Sequence, residues 1–379
     1  MTHACVLINA DVCTGSAILA GHAVVVENGL ITGVPPLSQA PDGMEKVDLA
    51  GKLVAPGFID AQVNGGGGVL FNDSPEPDAL KVIAEAHERY GTLHWCPTVI
   101  TSGFDTMERC LGAVKAAKEM NLGVLGAHLE GPYISQARPG VHDKRFIRPA
   151  DDAELDRLLA HGHISLVTVA PESAERRQIR RLTDAGIRVF LGHTDASCAD
   201  ALAAFEAGAC GVTHLYNAMS PLTGREPGVT GAAFVSGDVW AGVIADGFHA
   251  DWVSIQIAKK LKKTRLFLVT DAMPPVGKPD VVYTVGGREA SCHGGRCATA
   301  DGTLAGSALD MASAVRNCVT RCGVALDEAL RMASAYPAEM LGVADRLGYI
   351  KSGYAADLVF LDAELAVAGV MRGGEVRIF

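Results

Sequence analysis

The chain lacks the marks of several simpler protein classes. No uninterrupted apolar stretch approaches the ~18 residues that cross a bilayer, so no membrane partner is expected. The start, MTHACVLINADVC, has no basic region followed by an apolar core, and a cytoplasmic protein is expected. Positive charge is scarce: 33 Lys and Arg stand against 43 Asp and Glu, a formal net charge of −10. A nucleic-acid binder usually carries a basic face, so no nucleic-acid partner is expected. A small anionic ligand stays open, because a few local Arg and His side chains override the global field. The ten cysteines include no CxxC and form no dense framework, which points to reduced thiols. Cys292 and Cys297, in a Gly-rich segment, leave pairing or metal binding as the lesser alternative. No GxGxxG fingerprint follows the first strand, and NGGGG at 64–68 reads as a tight turn rather than a nucleotide loop.

What is present is apolar bulk with many turns. Hydrophobic residues make up 49% of the 379, only 20% are charged, and 43 are glycine. That suits one barrel of roughly 250 residues with an appended domain. Both ends read as short strands and hairpins: ACVLINADVC, GHAVVVENGLITGV and EKVDLAGKLVAPG first, LGYIKSGYAADLVFLD and LAVAGVMRGGEVRIF last. They suggest one small β domain made of residues 1–53 and 345–379, flanking residues 54–344. The middle alternates. Strands are expected at about 56–62, 94–101, 122–130, 163–171, 187–194, 211–216, 239–246 and 265–271, with amphipathic helical patterns between most of them. Residues 274–306 interrupt this rhythm with a Gly-rich, hairpin-like insertion that could act as a lid, and helices near 307–322 and 325–342 follow. The expected fold is α/β, a (β/α)8 TIM-like barrel with a small β-sandwich domain formed by both termini.

Four of the apolar runs end in residues that bind metals or move protons. GVLGAHLEGP carries His128 and Glu130, IRVFLGHTDA carries His193, CGVTHLYNAM carries His214, and RLFLVTDAMP carries Asp271. The C-terminal tips of barrel strands are where this architecture builds active sites. Strand alternation lets His128 and Glu130 both face the barrel mouth. Each histidine alone reads as a hydrogen-bonded core residue. Together, Glu130, His193 and His214 make a three-ligand metal site with a position left for water, and the histidines are too far apart in sequence for a zinc finger. Such a metal lowers the pKa of bound water to roughly 7. Asp271, after LFLVT, reads as the general base and then acid, against the alternative of a carboxylate capping the next turn. Loops supply further candidates: Val141 and His142 beside Lys144, Arg145 and Arg148; Asn217 and Ala218; Arg225 in TGREPG; Asp246 and His249 in DGFH. A phosphate or carboxylate would use such donors, Arg as a bidentate fork, while Lys144, Arg145 and Arg148 read as solvated.

The segments PGFIDAQVNGGGGVLFND, HLEGPYI, GHTDA, THLYNAM, REPG, IADGFHAD, LVTDAM and TLAGS resemble the N-acetylglucosamine-6-phosphate deacetylase family of the amidohydrolase superfamily. The resemblance spans nearly the whole chain, with GYIKSGYAADLVFLD similar to the usual return strand of the superfamily's split β-sandwich. It implies hydrolysis of the acetamide of N-acetyl-D-glucosamine 6-phosphate. By motif position, Glu130, His193 and His214 would hold one divalent metal ion per subunit, and Asp271 would shuttle the proton. His142 and His249 would contact the sugar or polarise the acetyl carbonyl. Asn217, Ala218 and Arg225 would bind the phosphate end, and Leu304, Ala305 and Gly306 would line the acetyl pocket. Val141 and Asp246 belong to the same implied substrate set. A homodimer is implied, with Arg225 or His249 completing the neighbouring phosphate site. Where many relatives carry His-x-His and a second metal, this chain has Gln62-Val63-Asn64, and amides are poor ligands. One metal is therefore expected, Zn2+ first, with Fe2+ and Co2+ also suited, and Gln62 behind the ligands or contacting through water. Alternatives are deacetylation of the galactosamine epimer or of an N-acyl amino acid, or a non-catalytic binding protein.

Overall fold

The computed structural model describes residues 4–379. Eight strands lie side by side in chain order in one sheet. They are β1 (Phe58–Val63), β2 (Thr92–Ile100), β3 (Ala127–Glu130), β4 (Ile164–Val169), β5 (Arg188–Leu191), β6 (Gly211–Val212), β7 (Trp240–Val243) and β8 (Leu266–Leu268). Each neighbouring pair from β2 to β8 runs parallel. The ring closes just beyond the strand ends. Val63 bridges Ala272 in parallel, the Asp271 N–H donates to the Gln62 carbonyl at 3.0 Å, and the Asn64 N–H donates to the Ala272 carbonyl at 2.9 Å. Strands covered on both faces need mostly apolar side chains, which is why RVFL and LFL read as near-continuous hydrophobic runs. The barrel expected from the alternation of strand and helix patterns is the fold observed.

The six helical patterns fall on Pro77–Glu88, Phe104–Glu119, Asp152–His161, Arg176–Asp184, Cys198–Glu206 and Trp252–Lys262. Three begin on side-chain caps that the sequence displays: Asp151, Ser197 and Asp251 each accept backbone N–H groups of the first turn. A further helix, Gly228–Val235, has no such signature. Its sequence GVTGAAFV is buried over residues 228–233, so it has no polar face and no helical period to read. Its C-terminus is held instead by Lys262, whose buried Nζ donates to the carbonyls of Ala233 and Ser236, both at 2.7 Å.

The contacts divide the chain into two compact units, Ala61–Ala86 with Trp95–Leu309, and the residues up to Asp60 with His87–His94 and Asp310–Phe379. In the latter, both chain ends meet in one seven-stranded sheet. Glu45–Pro56 pairs with Ala4–Cys13 on one side and with Leu358–Leu361 on the other, and Leu7, Val24, Ile31, Leu49, Phe360 and Met371 form part of its core.

Within the first unit, the insertion forms a three-stranded antiparallel sheet of Tyr283–Val285, Arg288–His293 and Arg296–Thr299. The Gly286 turn, at φ +56°, lies so close to Val141 that a Cβ would run into the Val141 carbonyl oxygen. Arg288 adds a hydrogen bond to the Gly140 carbonyl at 2.8 Å. Cys292 and Cys297 are paired as a disulfide, and the other eight cysteines form none. Reduced thiols were the expectation for all ten. The hairpin register, which spacing alone does not reveal, sets these two directly opposite each other. Among the described residues, no helix is long and apolar enough to cross a membrane.

Removing the Lys262 ammonium would take a donor from the buried Ala233 carbonyl and from the half-buried Ser236 carbonyl, which keeps the Val239 N–H at 3.2 Å, at a cost of about 1–3 kcal/mol. Lys262→Met is therefore expected to lower the thermal midpoint by a few degrees. An unchanged midpoint by differential scanning calorimetry would show that this cap contributes nothing.

Candidate active site

The strand tips deliver the site. Glu130 is the last residue of β3, while His193, His214 and Asp271 lie just beyond β5, β6 and β8. The last three have positive φ, at 48°, 32° and 52°, and Gly131 after Glu130 has φ 88°. Non-glycine residues seldom adopt this region, at a cost of order 1–3 kcal/mol each, and such strain gathers at functional sites.

Glu130, His193 and His214 are all buried, and one ligand atom from each lies within 4.8 Å of the others. His214 Nε2 is 3.0 Å and His193 Nε2 3.3 Å from Glu130 Oε1, and the two Nε2 atoms are 3.1 Å apart. A tetrahedral zinc with bonds of about 2.0–2.1 Å places its ligand atoms about 3.3 Å apart, so the trio fits a cation. His193 Nδ1–H donates to the Arg138 carbonyl at 3.0 Å, which leaves the Nε2 lone pair directed at the site. Burial pushes the Glu130 carboxyl up, but hydrogen bonds and charge from His193 and His214 overcome this and hold it well below the ordinary range.

Gln62 and Asn64 hold the neighbouring acid. Gln62 Nε2 donates to Glu130 Oε1 at 3.0 Å and to Asp271 Oδ1 at 3.1 Å, and Asn64 Nδ2 donates to Asp271 Oδ1 at 2.6 Å. Burial and then the Glu130 charge push Asp271 up to about 6, against the opposing pull of His214, His249 and Asn64. A carboxyl poised there can take and return a proton near neutral pH.

His142 is buried beside them, its ring centroid 4.3 Å from that of His193 and its Nε2 3.8 Å from Glu130 Oε2. The Thr101 backbone N–H lies 3.3 Å from His142 Nδ1, and the Thr101 hydroxyl 2.8 Å. A backbone N–H only donates, so Nδ1 is the bare nitrogen and Nε2 carries the hydrogen. Burial, then the charge of His193, lowers the pKa to about 3, so this ring is a neutral Nε2–H donor.

These groups share a cavity of about 460 Å³ with Val141, Asn217, Ala218, His249, Leu304 and Gly306. Two family matches cover the chain: residues 53–377 match the amidohydrolase family, and residues 6–54 match the NagA composite domain. The chain belongs to the amidohydrolase family. It is 41% identical over 360 residues to an N-acetylgalactosamine-6-phosphate deacetylase of Shewanella (strain ANA-3), covering 93% of this chain and 91% of that one. It is 36% identical over 377 residues to the N-acetylglucosamine-6-phosphate deacetylase of Haemophilus influenzae, covering 97% and 98%. Among solved structures, the N-acetylglucosamine-6-phosphate deacetylase of Pasteurella multocida superposes with a TM-score of 0.97 at 35% identity, covering 99% of this chain and all of that one (100%). That of Mycobacterium smegmatis, a mutant in complex with N-acetyl-D-glucosamine-6-phosphate, gives 0.93 at 32%, covering 99% and 100%.

In this amidohydrolase several anticipated residues stand away from the cavity wall. Arg225 is exposed in its loop and is not part of the lining. Asp246 turns to its own loop. Its Oδ1 accepts the Phe248 and His249 N–H groups at 2.8 and 2.9 Å, and its Oδ2 lies 2.7 Å from His249 Nδ1, so it orients the histidine that lines the site. Ala305 sits behind the wall in an apolar cluster with Ile100, Met273 and Val285, its carbonyl accepting from the Tyr283 hydroxyl at 2.6 Å. Gln62 touches both carboxylates directly. His128 shares the barrel interior with Glu130 but not the mouth. One pleat lower, its Nε2 pairs with Thr168 at 2.8 Å, and burial lowers its pKa to about 4.

Residues the sequence reading passed over include Thr101, Arg138, Met273 and Val285. Thr101 had the same signal as the others, a polar residue ending the apolar strand TLHWCPTVI. Val285 had none, because only the folding back of the insertion brings it to the wall.

A site of this kind predicts metal-linked stability. One equivalent of Zn2+ added to metal-free protein is expected to raise the thermal midpoint, and His214→Ala to remove that rise. An equal rise in the variant would disprove the ligand set.

Proposed function

We propose that this amidohydrolase cleaves the acetamide of N-acetyl-D-glucosamine 6-phosphate, giving D-glucosamine 6-phosphate and acetate. The observation that carries this reading is the arrangement of Glu130, His193 and His214 beside an Asp271 held by two amides, all in one cavity. Glu130, His193 and His214 would hold one divalent ion. Zn2+ suits two imidazoles and a carboxylate best, and Fe2+ and Co2+ suit them too. When bound, the ion supplies Lewis acidity to water and to the acetyl carbonyl.

The chain's own groups do the rest. Asp271 takes a proton from the attacking water and returns it to the departing nitrogen. The neutral Nε2–H of His142 donates to the carbonyl oxygen as negative charge develops there. Asn217, Ala218 and His249, on the same cavity, bind the hydroxyl and phosphate end, with Val141, Leu304 and Gly306 beside the acetyl group.

The phosphate site is completed by Arg225 of a second copy in a homodimer. Two features support this: Arg225 is exposed outside the cavity of its own chain, and the helix Trp252–Lys262 exposes an apolar row at Val253, Ile257 and Leu261. That eight of the ten cysteines form no disulfide supports a cytoplasmic setting.

A second reading takes the galactosamine epimer as substrate, and the 41% identity to the Shewanella enzyme keeps it open beside the first without raising it above it. Acetate release from both N-acetylhexosamine 6-phosphates decides between the two. Asp271→Asn is expected to lower kcat about 10²- to 10⁴-fold with metal content unchanged. Near-normal turnover would mean that another group is the base.

Mixing tests the shared site. Arg225→Ala and Asp271→Asn proteins, each impaired alone, are expected to recover activity when unfolded and refolded together, because a hybrid dimer has one intact site. No recovery would place Arg225 outside the partner's site.

A further inference from the structure

Asn64 has a polar atom that nothing else in the described protein uses. The residue lies just beyond β1, lines the cavity and is only 2% exposed. Its backbone is fixed, with its N–H donating to the Ala272 carbonyl at 2.9 Å and its carbonyl accepting from the Phe71 N–H at 2.9 Å. Its side-chain orientation is fixed as well. Nδ2 donates to Asp271 Oδ1 at 2.6 Å, and a flipped amide would set its oxygen against the carboxylate. The carbonyl Oδ1 is thereby an acceptor, buried, with no hydrogen-bond partner among the described residues. A buried acceptor without a donor has given up water and gained nothing in exchange, so its place beside the proton carrier calls for a ligand donor.

We propose that Asn64 Oδ1 accepts the N–H of the scissile amide and holds the leaving nitrogen against Asp271. This inference rests on the deacetylase reading above and adds a catalytic residue to it. One side-chain amide then joins the two ends of the proton transfer: Nδ2 fixes the acid, and Oδ1 fixes the nitrogen that the acid serves. The balance is that of hydrolysis. The water oxygen bonds to the acetyl carbon and the C–N bond breaks. The proton taken by Asp271 moves to nitrogen, while the hydrogen held by Asn64 stays there. The products are a primary amine and acetate. The nitrogen lone pair must turn toward Asp271 as the carbon becomes tetrahedral, and an acceptor on its N–H sets that direction.

An ester has no N–H, and Gln62→Leu, which removes the other amide that holds Asp271, gives the amide-over-ester loss that mispositioning of the acid alone produces. The experiment compares metal-loaded wild type, Asn64→Ala, the near-isosteric Asn64→Leu and Gln62→Leu on two substrates, the N-acetylhexosamine 6-phosphate and its 2-O-acetyl ester analogue. Metal content and circular dichroism are measured on each protein. Both Asn64 variants are expected to lose about 10- to 100-fold in kcat/KM on the amide beyond whatever they lose on the ester, a larger gap than that of Gln62→Leu. An amide-over-ester loss no greater than that of Gln62→Leu would reduce Asn64 to a positioning residue for Asp271 and overturn the proposal, as would no loss on the amide. A wild-type protein that releases no acetate from either N-acetylhexosamine 6-phosphate would instead sink the deacetylase reading, and this inference with it.

Discussion

Gln62 and Asp271 are joined twice, and much of the molecule depends on that junction. The Asp271 N–H donates to the Gln62 carbonyl at 3.0 Å, and the Gln62 side chain donates to the Asp271 carboxylate at 3.1 Å. The first bond helps to close the ring between the first strand and the last. The second places the acid of the last strand against the metal-ligand carboxylate of the third, because the same Gln62 nitrogen also reaches Glu130. Barrel closure and assembly of the site are thus one event. An eight-stranded ring that failed to close would leave Asp271 at the β8 edge, away from Gln62 at the β1 edge and from Glu130 on β3.

The electrostatics follow from crowding these groups out of water. A buried carboxyl, a half-buried one and three buried histidines cannot all keep their solution behaviour. They divide: Glu130 is held charged by His193 and His214, Asp271 is pushed toward neutrality by burial and by Glu130, and His142 is kept uncharged. Groups whose environments separate their proton affinities can serve as charge holder, proton carrier and neutral donor at one pH. The left-handed backbone at His193, His214 and Asp271 is the local cost of crowding these tips together, and the covered, close-packed barrel sustains it.

The wall of the cavity has a different origin. The insertion brings Val285 and Leu304 to a pocket otherwise made by strand tips, and its Gly286 turn is pressed onto the loop that carries His142. Apolar contacts there, through Ile100, Met273 and Tyr283, exclude water from one side of the site. The polar groups on the opposite side are correspondingly strengthened.

Much of this was legible in the chain before it folded. Period and burial pattern specify eight strands and six helices, because covered strands and amphipathic helices each leave a repeat. Asp151, Ser197 and Asp251 mark helix starts by a local hydrogen bond that needs no tertiary contact. Polar residues ending apolar runs specify Glu130, His193, His214 and Asp271, since a strand tip in a barrel has one destination. What the sequence could not decide depends on distance through space. The helix Gly228–Val235 has no polar face, so only burial reveals it. The pairing of Cys292 with Cys297 depends on hairpin register, and Val285 reaches the wall only through the fold of the insertion. Arg225 leaves its own cavity while Asp246 turns inward to His249. The tautomer of His142 and the orientation of Asn64 are set by Thr101 and Asp271, partners distant in the chain. Local chemistry determined which residues carry reactive groups; tertiary packing decided which atoms of those groups face one another, because hydrogen-bond direction is a property of neighbours and not of residues.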